Sequence, residues 1–543
     1  MRIVLISILT ILSCSAVLGQ VQLSKKQIIL LDSIATQDVP KNSPGIATAI
    51  IQDGKVIYEK YAGYADLTDS SLIQNSTRFN IASNGKQFTA LAILTLVDKK
   101  KLKLSDDIRK WFPDLYPNIS DKITIQSLLN HTSGIRDCYD LWSLQGYTWW
   151  EKSFTNNDVL ALIEKQTDLN FQPDTKYLYS NSNYILLALI IEKVSKKTFV
   201  EYTNEMFRQL NMPNTSFESD YAKIRGQIAR AYFNFGTWTT YDWIWNVVGD
   251  GNIFSTLEDQ IQWEKLVQGK GKTTLNREVI LQSQQGIDNS KFNNYGFGLE
   301  FGEYKGVEYK FHEGATGAWK ATVIRFPQKN ISMLTLTNTG KSIPYNQTRQ
   351  MADVVFGLKS PETYLITKPT SIGKYVSEDE ILGTYLTDSD FAFTFEKNDN
   401  KIFLKRVGRN DVELEREADN IFRQKFDTDF KQEFTTNSNG EMQVTAYYVN
   451  HSPYSLTKVG KPGNEFDFNK INGDYFNSET NTNITLKYLD AVNYEVTFRA
   501  DYVTKGLLVS DNKVLVDFFS LEFRDGDLLL NGERIKQVKY KRK

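Results

Sequence analysis

Residues 79–97 read FNIASNGKQFTALAILTLV. Phe88 to Val97 is close to continuously apolar, the pattern of a helix buried on most sides. Ser83-Asn84-Gly85-Lys86 stands at its start. Residues three apart share one face of a helix, so the spacing sets Lys86 one turn from the Ser83 hydroxyl. A serine hydroxyl is a weak nucleophile until a neighbour takes its proton. A lysine stripped of water has a lowered pKa and can accept that proton. A helix N-terminus adds unpaired N–H groups and a positive dipole end, both suited to a developing oxyanion. Taken alone, the quartet describes a solvated helix start equally well.

The same spacing recurs at Ser371, Ser455 and Ser510. Ser371 follows a proline in linker-like sequence. Ser455 and Ser510 lie among short strands and turns with no apolar helix behind them. Two further polar triplets follow Ser83 in the order an acyl-transfer site needs. Tyr179-Ser180-Asn181 precedes an apolar run from Tyr184 to Ile191. The tyrosine can relay a proton, and the asparagine can hydrogen-bond a substrate amide. The plainer reading is a packed tyrosine with a capping serine. His312-Glu313-Gly314 precedes two alternating segments, Ala321 to Phe326 and Ile331 to Leu336, split by Pro327-Gln328-Lys329-Asn330. A histidine there can bind a carboxylate or assist proton transfer, or be a hydrogen-bonded surface residue.

On these motifs the chain resembles the serine β-lactamase-related family: class C β-lactamases, D-alanyl-D-alanine carboxypeptidases, D-aminopeptidases and related esterases. The resemblance covers roughly residues 40 to 355, about one large domain. Supporting segments are FNIASNGKQFTALAIL, ITIQSLLNHTSGI, YLYSNSNYILLALIIEKVS, GDGNIFSTLEDQIQW and FHEGATGAWKATVIRFP. The resemblance implies Ser83 as the acylated nucleophile, Lys86 as its proton acceptor, and Tyr179 as general base or as donor to the leaving group. It implies that Asn181 binds the substrate amide and that His312 contacts a substrate carboxylate or the Tyr179 oxygen. Gly314 and Ala315 would flank the substrate, with the N–H groups of Ser83 and Ala315 as the oxyanion hole. Three departures stand out. His312 replaces the usual lysine, Glu313 sits where small residues are usual, and Asp174 follows Pro173 where glycine is frequent. His312 points toward the peptidase and esterase branches, and Glu313 near a cleft would disfavour anionic substrates.

With 543 residues the chain is too long for one ordinary domain. Its 64 basic and 65 acidic residues leave no surplus to attract nucleic acid. Arg2, the uncharged stretch Ile3 to Leu18 and Val17-Leu18-Gly19 read as a secretory signal cleaved before Gln20. A second reading is lipid attachment at Cys14, although Leu12 fits that pattern poorly. No later run approaches the ~18 apolar residues of a membrane span. The chain therefore reads as exported, periplasmic or secreted. Cys138 is then the one cysteine of the mature form, which excludes an internal disulfide. It reads as a small buried residue. Histidines at 131, 312 and 451 are too widely spaced for a multi-histidine metal site, so neither metal nor cofactor is expected.

Leu23 to Ile34 reads as an amphipathic helix. Asp53-Gly54 between alternating runs signals a hairpin. His131-Thr132-Ser133-Gly134 reads as a helix end satisfied by local backbone, and Ser255-Thr256-Leu257-Glu258 as a capping box. Strand, helices, strand places both ends of this domain in one sheet. Two aromatic clusters, Tyr139 to Trp150 and Tyr232 to Trp245, read either as pocket walls or as core. Beyond a linker, Leu382-Gly383-Thr384-Tyr385 and Asn472-Gly473-Asp474-Tyr475 open what looks like a repeat.

The expected fold is α+β. A β-lactamase/transpeptidase-like domain, an antiparallel sheet flanked by helices plus a helical subdomain, precedes C-terminal antiparallel β modules. The division is 1–19 signal, 20–360 hydrolase domain, 361–379 linker, 380–460 and 461–543 β modules. The modules are small barrels, or one continuous lipocalin-like barrel. The expected activity is metal-free hydrolysis of an amide or ester through an acyl-enzyme. D-amino-acid peptides related to cell-wall stems are the favoured substrates, with small esters next and β-lactams third. A non-catalytic scaffold on the same fold is the reading from another class.

Overall fold

A computed structural model describes residues 21–543, apart from 149, 288–291, 293, 359–372, 388–390, 406–410, 426–429, 448–452, 461–464, 500 and 518. The leader with Cys14, His451 and most of the expected linker lie outside the described residues.

Helix α1 (Lys25–Thr36) is capped by Ser24 in a reciprocal box with Gln27. Strands β1 (Ile46–Gln52) and β2 (Lys55–Ala62) form the expected hairpin. Asp53 and Gly54 both have positive φ, 49° and 76°, the backbone a two-residue turn between twisted strands requires. Helix α2 (Lys86–Asp98) starts after a 3₁₀ turn, Ala82–Gly85. Helices α3 (Cys138–Leu144), α4 (Asn181–Ser195) and α5 (Leu257–Val267) follow. The chain then returns through β3 (Glu300–Tyr304), β4 (Val307–Thr316), β5 (Trp319–Phe326) and β6 (Ile331–Thr337), and α6 (Pro344–Phe356) closes the domain.

The six strands make one antiparallel sheet, ordered β3-β4-β5-β6-β1-β2, so the two ends of the domain meet at β1 and β6. Every residue of β1 is buried because both sheet faces are covered. Ile46 and Ile50 face a core shared with Leu31 and Ala35 of α1 and Met351 and Val355 of α6. Ala47, Ala49 and Ile51 face the larger core around α2 and α4. The two-residue period of a strand sorts its side chains between the two cores. Arg325 of β5 braces the second face through Glu264 at 2.6 Å and Gln87 at 2.7 Å.

Three local expectations shift. Ser83 sits in the 3₁₀ turn and not in α2 itself; residues i and i+3 eclipse there, so the Ser83–Lys86 proximity survives. The helix before His131 ends at Leu129, five residues before Gly134, and His131 itself has φ 59°. The cap of α5 is Thr256, which accepts from Asp259 N–H at 3.1 Å, one residue later than the box expected at Ser255.

Beyond residue 380 the strands close into two eight-stranded antiparallel barrels, not one. The first runs from Gly383–Leu386 to Tyr454–Lys458 around Phe393, Phe395, Phe422 and Phe434. The second runs from Gly473–Asn477 to Val538–Arg542. The repeat extends to single bonds: Tyr385 OH donates to Ile381 O, and Tyr475 OH to Ile471 O, each at 3.0 Å. Gly383 and Gly473 both take positive φ, 124° and 144°.

The second barrel is docked on the first domain. Arg136, 1% exposed, bonds Glu479 at 3.0 Å and the carbonyls of Lys536 and Gln537. Asn170 accepts from Lys536 N–H at 2.6 Å and donates to Arg534 O at 3.1 Å. Apolar residues of this barrel belong to the same buried cluster as α2 and α4. Among the described residues no helix is long and apolar enough to cross a membrane.

Candidate active site

Ser83 stands on a sharp turn. Ala82 before it has φ 47°, unusual for a residue with a side chain, and its N–H is held by Asn80 Oδ1 at 2.9 Å. The turn presents the half-buried Ser83 hydroxyl to a cavity of about 470 Å³. Lys86 Nζ donates to Ser83 Oγ at 3.0 Å, to Asn181 Oδ1 at 2.9 Å and to Asp250 O at 2.6 Å. Tyr179 OH donates to Ser83 Oγ at 3.0 Å. The alcohol, the amine and the phenol therefore meet, although Tyr179 is 96 positions from Ser83. Burial pulls the Lys86 ammonium down to about 8, against the opposing pull of Asp250 and Asp137. Burial pushes the Tyr179 phenol well above its ordinary value, so it is a proton donor in this state.

Asn181 opens α4. Its N–H and Nδ2 donate to one oxygen of Asp137, at 2.7 and 2.9 Å, while its Oδ1 takes a Lys86 proton. Its side chain, which also lines the cavity, thus links Asp137 to the lysine. Asp137 is the cap of α3, and its other oxygen accepts from the N–H groups of Tyr139 and Asp140. Ser180 occupies the cap position of α4 without bonding through its hydroxyl. Below it, His131 Nδ1 accepts from Ser180 N–H at 3.2 Å, and Ser133 donates to Asn183 at 2.7 Å. The His-Thr-Ser-Gly segment thus braces the start of α4, while Ser133 Oγ also meets local backbone as expected, accepting from Ile135 N–H at 3.1 Å. Asp174, where the resemblance expects glycine, does adopt φ 59° and accepts from Thr132 Oγ1 at 2.5 Å.

His312, Glu313 and Gly314 lie on β4 itself. Strand β3 pairs with β4 only as far as Phe311, which leaves His312–Thr316 without a strand on that side. The Ser83 turn packs there. A Cβ built on Gly314 would lie 2.2 Å from Ile81 O, so only glycine allows the strand this close. That contact puts Ala315 beside Ser83 on the cavity wall. His312 is 2% exposed, with Nε2 bonded to Tyr295 OH at 3.0 Å and Nδ1 to Glu313 O at 2.6 Å. Burial, with the Lys86 charge adding to it, holds its imidazole down to about 3, so it is neutral. Both nitrogens are engaged, and Tyr295 rather than Tyr179 takes its bond. Glu313 alternates to the exposed side and does not line the cavity.

The cavity wall is aromatic: Tyr139, Trp142, Tyr147 and Trp150 from one cluster, Trp243 and Trp245 from the other, with Phe154 between. Tyr232, Phe233, Phe235, Trp238 and Tyr241 do not line it. Arg534 of the second barrel completes the lining and bonds Asp140 at 2.6 Å and Asp137 at 3.4 Å. Sequence reasoning gave no role to Asp137, Asp250, Tyr295 or Arg534. Only Asp250 left a signal, inside the GDGN segment. Among the described residues no cluster of side chains is arranged to hold a metal ion.

A serine on a turn facing a lysine and a tyrosine, on this sheet and the helices behind it, is an arrangement suited to nucleophilic chemistry at a carbonyl. Residues 31–357 match the beta-lactamase family, and the chain belongs to it, a family of serine hydrolases. Protein flp of Staphylococcus aureus (strain MRSA252) is 37% identical over 200 residues, 36% of this chain and 39% of that protein. D-aminopeptidase of Brucella anthropi is 27% identical over 305 residues, 54% of this chain and 56% of that protein. The chain thus spans less than two thirds of either relative. Among solved structures, the octameric penicillin-binding protein homologue from Pyrococcus abyssi superposes with a TM-score of 0.57 at 22% identity, covering 79% of this chain and 99% of that one. The D-amino acid amidase from Ochrobactrum anthropi SV3 gives 0.51 at 21% identity, covering 62% and 100%.

Proposed function

We propose that the protein is an exported serine hydrolase that cleaves amide or ester bonds through an acyl-enzyme on Ser83, with D-amino-acid peptides and amides as its favoured substrates. The observation that carries this is the Ser83 hydroxyl held by Lys86 Nζ and Tyr179 OH, each at 3.0 Å, on the floor of the cavity. Lys86, once neutral, takes the hydroxyl proton as Oγ bonds to the substrate carbonyl carbon. The N–H groups of Ser83 and Ala315 receive the oxyanion. Tyr179 gives its proton to the leaving nitrogen or oxygen as that bond breaks, and recovers one through Lys86. A water molecule then splits the ester by the same steps reversed. The D-amino-acid preference is supported by the likeness to D-aminopeptidase.

A fluorophosphonate or labelled penicillin tests the reading. The expected result is one adduct, mapped to Ser83 by mass spectrometry and lost in Ser83→Ala. No adduct with any acylating probe would leave the scaffold reading in its place. Export is tested by expression with the native leader: a mature chain beginning at Gln20 outside the cytoplasm is expected, and an uncleaved cytoplasmic chain overturns it.

A further inference from the structure

The first turns of α1 carry two features that water does not favour. Ile28, Ile29 and Leu30 are 41%, 68% and 44% exposed. Successive helical residues point about 100° apart, so three in a row spread apolar surface around most of the helix rather than along one side. Leu31 is the first residue of α1 to be buried. Before it, Gln27 ties the helix to the domain, its Nε2 donating to Val354 O of α6 at 3.0 Å. Lys25 and Lys26 are exposed in the same turns and have no carboxylate partner among the described residues. No acid occupies the first turn, where the helix dipole favours one. The one acid of α1, Asp32, is taken by Lys60 at 3.3 Å and by Tyr58 OH at 2.9 Å. At an anionic bilayer both features become favourable: the apolar chains leave water, and the ammonium groups meet lipid phosphates.

We infer that the first turns of α1 dock on the surface of an anionic lipid bilayer and hold the domain there with its cavity open. Three observations choose this occupant. Residues 1–20, uncharged from Ile3 to Leu18, end five positions before Lys25, so a leader that enters a bilayer delivers α1 beside it. A second copy set on the same patch about a two-fold axis would bring its own Lys25 and Lys26 against these two, like charge to like. The patch also lies away from the site: α1 packs on the sheet face opposite α2 and α4, and no residue of α1 or α6 lines the cavity. Docking therefore leaves the approach to Ser83 free, and the inference does not depend on the chemistry assigned to Ser83.

The test uses the full chain and a readout confined to α1, so that binding through the leader does not mimic the effect. Hydroxyl-radical oxidation of Ile28, Ile29 and Leu30 is followed by mass spectrometry, with and without vesicles of phosphatidylcholine and about 30 mol% phosphatidylglycerol. The vesicles should lower oxidation of the three residues at least ~3-fold. Tyr502 and Val503, exposed on the second barrel, should not change. The protection should be lost in ~0.5 M salt, and should be weaker with phosphatidylcholine alone. It should also be lost in Lys25→Glu with Lys26→Glu. Acids suit the first turn of a helix, so that double variant does not lose docking by unfolding. Equal oxidation with and without vesicles overturns the inference, as does protection that survives the double variant. Residues already protected in the free chain would be covered by the protein's own segments, which also overturns it. Protection that appears without vesicles as protein concentration rises, with a doubled mass in sedimentation, would replace the bilayer by a second copy.

Discussion

Lys86 spends its three N–H groups on the Ser83 hydroxyl, the Asn181 side chain and the Asp250 carbonyl. Drawn this way it is an ammonium, and an ammonium cannot accept the serine proton. Its burial places the change of state near pH 8. In the proposed mechanism the neutral form is the base, so the rate of Ser83 acylation should rise with pH and level off above about 8. A profile measured with a fluorophosphonate checks this, and a flat profile from pH 6 to 9 removes Lys86 from the step. Lys86→Ala should slow acylation at least ~100-fold and abolish that inflection. The Ser83–Lys86 pair was legible in the sequence because it is local: three positions apart, at the head of an apolar run. Asn181 was legible as a residue near the substrate, but its tie to Lys86 was not. That tie depends on Asp137, 44 positions away, turning its carboxylate under α4.

Strand β4 brings the third motif to the Ser83 turn by ending its pairing early. From His312 onward its free side takes the Ser83 turn, and Gly314 is the point of contact. Gly314→Ala would push a methyl group into the Ile81 carbonyl, and backbone cannot swing aside as a flexible side chain does. A stability loss of about 1–3 kcal/mol in denaturant unfolding is expected. Acylation should fall at least ~10-fold, because Ala315 and Ser83 separate. A variant near the unmodified protein in both would show that the strand does not need the contact. The sheet itself was readable from alternation and from Asp53-Gly54, since a strand's two faces and a tight turn are properties of neighbouring residues. His312 was readable as a site residue only by resemblance. Its position behind Tyr295, with both nitrogens engaged, depends on how β4 leans against the helical layer. The shifted cap at Thr256 shows the same limit: Ser255 and Thr256 can both cap, and the register of the preceding strand, which pairs Thr256 with Arg78, selects between them.

The two barrels share one design, but the second joins the catalytic domain's core and reaches its cleft. Its loop between residues 531 and 538 carries Arg534 to Asp140 and Asp137, 394 positions from the former. No sequence pattern announces such a pair, and the end of the chain read only as antiparallel β modules. The consequence is physical. Asp137 holds Asn181, Asn181 holds Lys86, and Arg534 balances the charge of Asp137. Arg534→Ala leaves Asp137, fully buried, and Asp140 facing each other without their cation. A loss of about 2–4 kcal/mol in stability is expected. The excess negative charge should also favour the protonated lysine, so the inflection in Ser83 acylation should move to higher pH. Arg534→Lys, which restores the charge without the forked geometry, should return the inflection more fully than the stability. An Arg534→Ala protein that melts earlier but keeps the same pH profile would make the second barrel a brace alone. A shifted profile would make it part of the machinery that sets the basicity of Lys86.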